Sequence, residues 1–393
     1  MSLHSQALGR ATVRIIRFAA DRIPPLAAWV RRIGKEYAGR ALDFYREGEL
    51  ERAEAEYREA LVWQPNDSDL HAALGQVYYE QGRAEEAEGS FRQALGHDYR
   101  NLQALKSLAI VLQERGELLE TMYLYLRYLE MEPKDAVVFH NLGAVFHNLG
   151  DYSKALEYYA RAEQEDPDDP LVYKNRALAL LALGRYDEAQ TVLVRAREMA
   201  PQDAEFDLLL GSTLEDSGET ARAWECYQSA VQKDPESADT QLQFLAFAAR
   251  QGRHQEVVEH AKTAADLFQQ AGDKEGATKA YWELGWSYYM LGDWDRSLQA
   301  SSEALKLNPT LAPVRFNLGL VQLELGRIAE ARETYETGVR SAQATDLKSH
   351  AIDDLHEALE KNPQLSGGAE ILAMLEARYN ALSKEVVRTA AAS

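Results

Sequence analysis

Nine glycines recur along the chain on a 34-residue ruler: Gly48, Gly82, Gly116, Gly150, Gly184, Gly218, Gly252, Gly292 and Gly326, with one interval of 40 residues. A period of this length means one supersecondary unit copied head to tail, and it decides the fold before any other feature. Each glycine divides two segments of helical period, as in "LGQVYYEQGRAEEAEGSFRQAL" and "LALLALGRYDEAQTVLVRA". Pro65, Pro133, Pro167, Pro201, Pro235 and Pro309 close most units. Glycine after a first helix admits a left-handed turn, and proline beyond the second helix stops it. The unit is therefore a helix–turn–helix, and the fold class is all-α.

With the ruler glycine numbered 15, position 8 is small: Ala41, Gly75, Ala109, Gly143, Ala177, Gly211, Gly285 and Gly319. Position 20 is mostly alanine, position 24 is large (Tyr57, Phe91, Tyr125, Tyr159, Leu193, Tyr227), and position 27 is mostly alanine again. Small residues at 8 and 20 let two helices approach, and the bulky residue at 24 fills the space beside them. This pattern resembles the tetratricopeptide repeat (TPR) family over roughly residues 34–345. The resemblance implies a right-handed α-solenoid of nine units: 34–67, 68–101, 102–135, 136–169, 170–203, 204–237, 238–277, 278–311 and 312–345. The seventh unit is about six residues longer, which predicts an extended second helix, and it carries Leu245 at position 8. Tyr128 at position 27 of the third unit predicts looser packing there. Residues 346–385 read as capping helices, because a solenoid needs its open end covered, and 386–393 as a frayed tail.

The tetrapeptide HNLG occurs twice, at His140 and His147. Gly143 is a mid-helix glycine, costing about 1 kcal/mol of helix propensity to make room for a neighbour, whereas Gly150 ends the helix. The two His–Asn pairs lie two turns apart on one face, about 10.5 Å along the axis, which is too far for one metal ion. In the TPR family the first helices line a concave groove, with positions 2, 5, 6, 9, 12 and 13 facing it. The resemblance therefore implies a polar peptide-binding patch of Lys106, Ser107, His140, Asn141, His147, Asn148, Lys174 and Asn175. The asparagine column is similar to the groove of O-GlcNAc transferase's superhelix, where amides grip a peptide backbone; an amide both donates and accepts. The match to the carboxylate clamp of chaperone-binding TPR proteins is only partial, since Ile110, Leu171 and Asn175 stand at its positions, and the chain does not read as a chaperone adaptor. Later units carry an apolar stripe in the same frame: Leu208, Leu242, Trp282, Trp286, Tyr289, Phe316 and Leu320. The stripe is either an exposed contact site or core, depending on how the long seventh unit turns these helices.

Net charge is −20, yet residues 1–35 hold Arg10, Arg14, Arg17, Arg22, Arg31, Arg32 and Lys35 against Asp21 alone. The acidic body argues against nucleic acid as a partner. In the basic head (1–33), arginines and an apolar stripe (Val13, Ile16, Ala20, Ile23) share helical spacing until Pro24 and Pro25 break it. Three readings stay open: a cap on the solenoid, a surface docking on an anionic membrane or a partner through Arg10, Arg14, Arg17, Arg31 and Arg32, or a transit peptide. A single cysteine, Cys226, excludes an internal disulfide and multi-thiolate zinc, and fits a reducing, cytoplasmic setting with peripheral membrane association through the head as an option. No phosphate loop, G-x-S-x-G elbow or H-E-x-x-H is present. The expectation is a non-catalytic scaffold, without cofactor or metal, that binds peptides or helices of partner proteins. The alternative is a regulatory or assembly subunit of a larger enzyme or secretion machine, docked through the head.

Overall fold

The computed structural model describes residues 9–20 and 22–390; the readings made for residues 1–8, for Asp21 and for the end of the tail at 391–393 lie outside the described residues. The chain forms two compact bodies, divided between Met199 and Ala200. In the first body, α1 (Arg10–Ala20) precedes antiparallel pairs: α2 (Pro24–Arg46) with α3 (Leu50–Trp63), α4 (Ser68–Glu80) with α5 (Ala84–His97), α6 (Leu102–Glu114) with α7 (Leu118–Leu129), α8 (Ala136–Asn148) with α9 (Tyr152–Glu165), and α10 (Pro170–Ala182) with α11 (Tyr186–Met199). The second body pairs α12 (Ala204–Asp216) with α13 (Thr220–Lys233), α14 (Ala238–Arg250) with α15 (His254–Ala271), α16 (Lys274–Met290) with α17 (Trp294–Leu307), and α18 (Ala312–Glu324) with α19 (Ile328–Ser341). It ends in α20 (Ala344–Leu347), a π-helical stretch (Lys348–Ile352), α21 (Asp353–Lys361) and α22 (Gly368–Ala390). The fold is an all-α solenoid of helix–turn–helix units.

The glycines divide the labour as their positions predict. Gly150 adopts φ +78°, and the same left-handed turn recurs at every ruler glycine. Gly143 has no room for a side chain: a Cβ there would stand 2.6 Å from the Tyr159 ring, the residue at position 24 of its unit. A second periodic device completes each first helix. Asp67, Asn101, Asp135, Asp169, Asp203 and Ser237, again 34 residues apart, accept hydrogen bonds from the free N–H groups that open α4, α6, α8, α10, α12 and α14. The buried alanines at positions 20 and 27, such as Ala155 and Ala162, and the aromatics at 24 form the core between layers.

The departures from the regular unit are resolved in detail. The six extra residues lengthen two helices, since α15 runs to Ala271 and α16 starts at Lys274; the lengthening is not confined to the second helix, and the expected boundary at 277/278 falls inside α16. The boundary at residue 33 likewise falls inside α2, which is unbroken from Pro24. Tyr128 is buried and its hydroxyl donates to the Asp135 carboxylate at 2.8 Å, so the bulky residue is built into the next helix cap. At the far end, α22 is helical to Ala390, including the described part of the tail, and packs on α19, α20 and α21.

Candidate functional site

In the first body, the predicted polar patch lies along α6, α8 and α10, and most of its groups are held by internal partners. Asn141 Nδ2 donates to the Tyr125 hydroxyl (3.1 Å), which in turn donates to Gln113 Oε1 (3.2 Å). Asn175 Nδ2 donates to His140 Nε2 (2.6 Å), so the His140 proton sits on Nδ1. Burial holds His140 below the ordinary histidine range, with Asp169 opposing, which keeps the ring neutral and able to accept. Lys106 Nζ donates to the Asp135 carboxylate (2.9 Å) that caps α8. Ser107 Oγ donates to Gln76 Oε1 at 3.4 Å. His147 meets the edge of Tyr152 (ring centres 5.1 Å apart), Lys174 is half-buried, and Asn148 is exposed. The column is thus a cross-repeat network, Asn175–His140 linking α10 to α8, with outward faces still open to water.

Two apolar side chains complete this face. Val137 and Leu171 are 53% and 51% exposed, one repeat apart at position 2, on the helices that carry the polar column. Large apolar groups left this open at matching register are what an amphipathic docking surface needs.

The apolar stripe of the second body divides. Phe316 and Leu320 are fully buried, at 0% and 1% exposure, and belong to one core cluster with Leu347, Ala351, Ile352 and Leu355. They are not an exposed contact site, because the segment 344–361 folds along α18 and covers them. Leu208 is also buried, on α12 where that helix packs beside α13 and α14, and Leu242 packs against a second core cluster. The aromatic part stays half-covered: Trp286 stacks on Tyr289 (5.3 Å, 22° between planes), Tyr289 meets Trp294, and Trp282 meets His350 edge-on (5.5 Å, 77°). Trp282 and Trp286 line an open cavity of about 360 Å³ between α14, α16, α18 and the C-terminal segment.

At the head, α1 packs on α2 and α3. Val13, Ala20, Val30, Ile33 and Trp63 form a small core, Trp29 meets Trp63 edge-on (5.7 Å), and Arg17 donates to the Val62 carbonyl (3.1 Å). Arg17 is therefore turned into the repeat, whereas Arg10, Arg14, Arg31 and Arg32 are exposed. Ile15, Phe18 and Ile23 are exposed beside them. No helix among the described residues is long and apolar enough to cross a membrane, and none of their His, Cys, Asp and Glu side chains form a group of three or more able to hold a metal ion.

Family models of the tetratricopeptide repeat match residues 41–82, 73–136, 124–157, 148–212, 236–310 and 288–349. The chain is a tetratricopeptide repeat protein. A solved tetratricopeptide repeat protein from Parabacteroides merdae aligns with 63% of this chain and 99% of its own, at 19% identity and a TM-score of 0.51, a likeness of fold. PilF of Pseudomonas aeruginosa aligns with 56% of this chain and 99% of its own at 24% identity, with a TM-score of 0.48. No curated protein sequence matches the chain.

The TPR frame alone overlooks five residues. Val137 and Leu171 sit at a groove-facing position, so the frame could have flagged them. Asn317 occupies position 6, like Asn141 and Asn175, but is 4% exposed and lines the Trp282 cavity. Glu283 and Asp354 line it too, and Asp354 could not be foreseen because it comes from the C-terminal segment outside the repeat frame.

Proposed function

We propose that this TPR protein is a non-catalytic scaffold that holds an extended segment of a partner protein along the first-helix face of α6, α8 and α10. The observation that carries the reading is the pair Val137 and Leu171, each more than half exposed at the same register of adjacent repeats. A monomer gains nothing from two such side chains in water, whereas a bound segment would bury them against its own alternating side chains. Beside them, the outward faces of Lys106, His140, Asn148 and Lys174 supply hydrogen bonds that orient a backbone without demanding a sequence. The internal network stiffens this face, which lowers the ordering cost of binding. The protein acts in this reading by assembling other chains, in a cytoplasmic setting.

The test is quantitative mass spectrometry of proteins retained by the full chain and by a Val137→Asp, Leu171→Asp variant in lysate of the source cell. The same partner lost from the variant, with its helical signal intact, supports the groove. An unchanged partner list refutes it.

A second reading rests on the head, where Ile15 and Phe18 stand 68% and 61% exposed beside the exposed Arg10 and Arg14. Apolar and basic groups on one helix suit an anionic membrane surface or an acidic partner. Deletion of residues 1–20 separates the two readings, because only the second loses its partner with it.

A further inference from the structure

The cavity of the second body has a charge problem that its own residues do not solve. Arg250 is on its wall, but its Nε and Nη2 donate to Glu215, at 2.8 and 2.9 Å, and among the described residues its remaining Nη1 makes no hydrogen bond or ion pair with Glu283 or Asp354. Glu283 and Asp354 are half-buried on the same wall, and among the described residues neither carboxylate has an ion-pair or hydrogen-bond partner. Asn317, more than nine-tenths buried, also faces the cavity without a hydrogen-bond partner among the described residues. Its polar atoms are not sealed in the core, so the amide is open to a guest that enters the cavity. The rest of the wall is the indole surface of Trp282 and Trp286, with Ala246, Ala249, Ser349 and His350.

These groups describe one kind of guest. Two carboxyl groups able to carry negative charge, an amide able to accept or donate, and two electron-rich ring faces suit a cation carried on an apolar stem. An anion would meet two carboxylates, and a purely apolar group would leave three polar side chains unanswered. Burial agrees with this: against the opposing charge of Arg250 it raises Glu283 above the ordinary glutamate range, and with help from Glu357 and Asp353 it raises Asp354 to about 7. Burial also keeps His350, on the Trp282 edge, below the ordinary histidine range, so it adds no competing charge near neutrality. We propose that this cavity is a binding site for one basic side chain of a partner protein, an arginine in preference to lysine, laid on Trp282 and Trp286 and neutralised by Glu283 and Asp354. Arginine is preferred because a planar guanidinium can stack on indole and present several donors at once. A volume of about 360 Å³ takes such a side chain with part of its backbone. The site is independent of the groove on α6, α8 and α10 and stands or falls without it.

The experiment uses the full chain labelled with 5-fluorotryptophan, the Trp282 and Trp286 fluorine resonances being assigned by single phenylalanine substitutions. The probes are N-acetyl-arginine methylamide and its neutral isostere, N-acetyl-citrulline methylamide. The proposal expects saturable shifts of the Trp282 and Trp286 signals with the arginine probe only, and a loss of affinity of about tenfold or more in Glu283→Gln, Asp354→Asn. If the double variant does not fold, each single substitution is expected to weaken the arginine probe severalfold. Equal responses to arginine and citrulline, or an arginine response indifferent to both carboxylates, overturn the proposal.

Discussion

Asp354→Asn should remove a pH dependence of stability whose direction the cavity sets. Burial, then Glu357 and Asp353 on its own helix, push Asp354 up to about 7; Glu283 and Arg250 line the cavity with it, and His350 stands one turn earlier. In the unfolded chain an aspartate titrates near about 3.9. The folded protein therefore holds this proton more tightly than the unfolded chain. The stabilisation is complete below about pH 4 and is lost as pH rises through about 7. Three units at about 1.4 kcal/mol each set a ceiling of about 4 kcal/mol. The cavity is open to water, and screening brings the effect to about 2 kcal/mol. Asparagine has the shape of the protonated acid and cannot ionise. Urea unfolding followed by helical circular dichroism, at about pH 5 and about pH 8, gives the comparison, because subtracting wild type from variant cancels every other titrating group. Part of the effect is already lost at about pH 5, so the variant should gain about 1 kcal/mol on wild type between the two conditions. Parallel behaviour of the two proteins would mean that Asp354 ionises as an exposed carboxylate and that the cavity does not desolvate it.

Other substitutions test the packing. Gly143→Ala places a methyl 2.6 Å from the Tyr159 ring, and crowding should outweigh the helix-propensity gain by about 1–2 kcal/mol in thermal unfolding; Gly211→Ala, at 3.1 Å from Tyr227, should be milder, and a raised melting temperature for Gly143→Ala would show that the helices part freely. Lys233→Met removes one partner from Asp207, which is 0% exposed and also held by Ser229, and should cost about 1–3 kcal/mol; a loss within error of zero would mean that the remaining partners hold the carboxylate alone. Trp286→Ala removes a ring stacked on Tyr289 and packed against the C-terminal core, so it should lower stability by about 2–3 kcal/mol, and an unchanged melting temperature would place the ring outside that core.

Much of this was legible in the sequence, and what was not has physical causes. The 34-residue ruler gives the helix pairs because a left-handed turn at glycine and a cap at position 34 are local events, set by a few neighbouring residues. The pairing of Gly143 with Tyr159 follows from the same period, since both lie within one unit. The partners of Asn141 and Asn175 do not follow from it. Whether an amide faces a peptide or a neighbouring tyrosine or histidine depends on side-chain geometry that the period leaves open. The fate of Phe316 and Leu320 was hidden for another reason. In the repeat frame they point into the groove, but residues 344–361 break the frame with a π-helical stretch and lie along α18. The same segment brings Asp354 to Glu283, which is over seventy positions away in the chain, so no spacing rule could have joined them.

The central claim is that partners bind on the first-helix face of α6, α8 and α10, and site-specific photocrosslinking tests it most directly. Benzoylphenylalanine would replace Leu171 on that face, and in a separate sample Glu157, an exposed residue on the second helix α9 of the preceding unit. After irradiation in the source cell, the account predicts a discrete crosslinked partner from position 171 and none from position 157, with the position-171 product diminished when Val137 is also changed to aspartate. The same partner captured at position 157 and absent at 171 would contradict the account and move recognition to the opposite face.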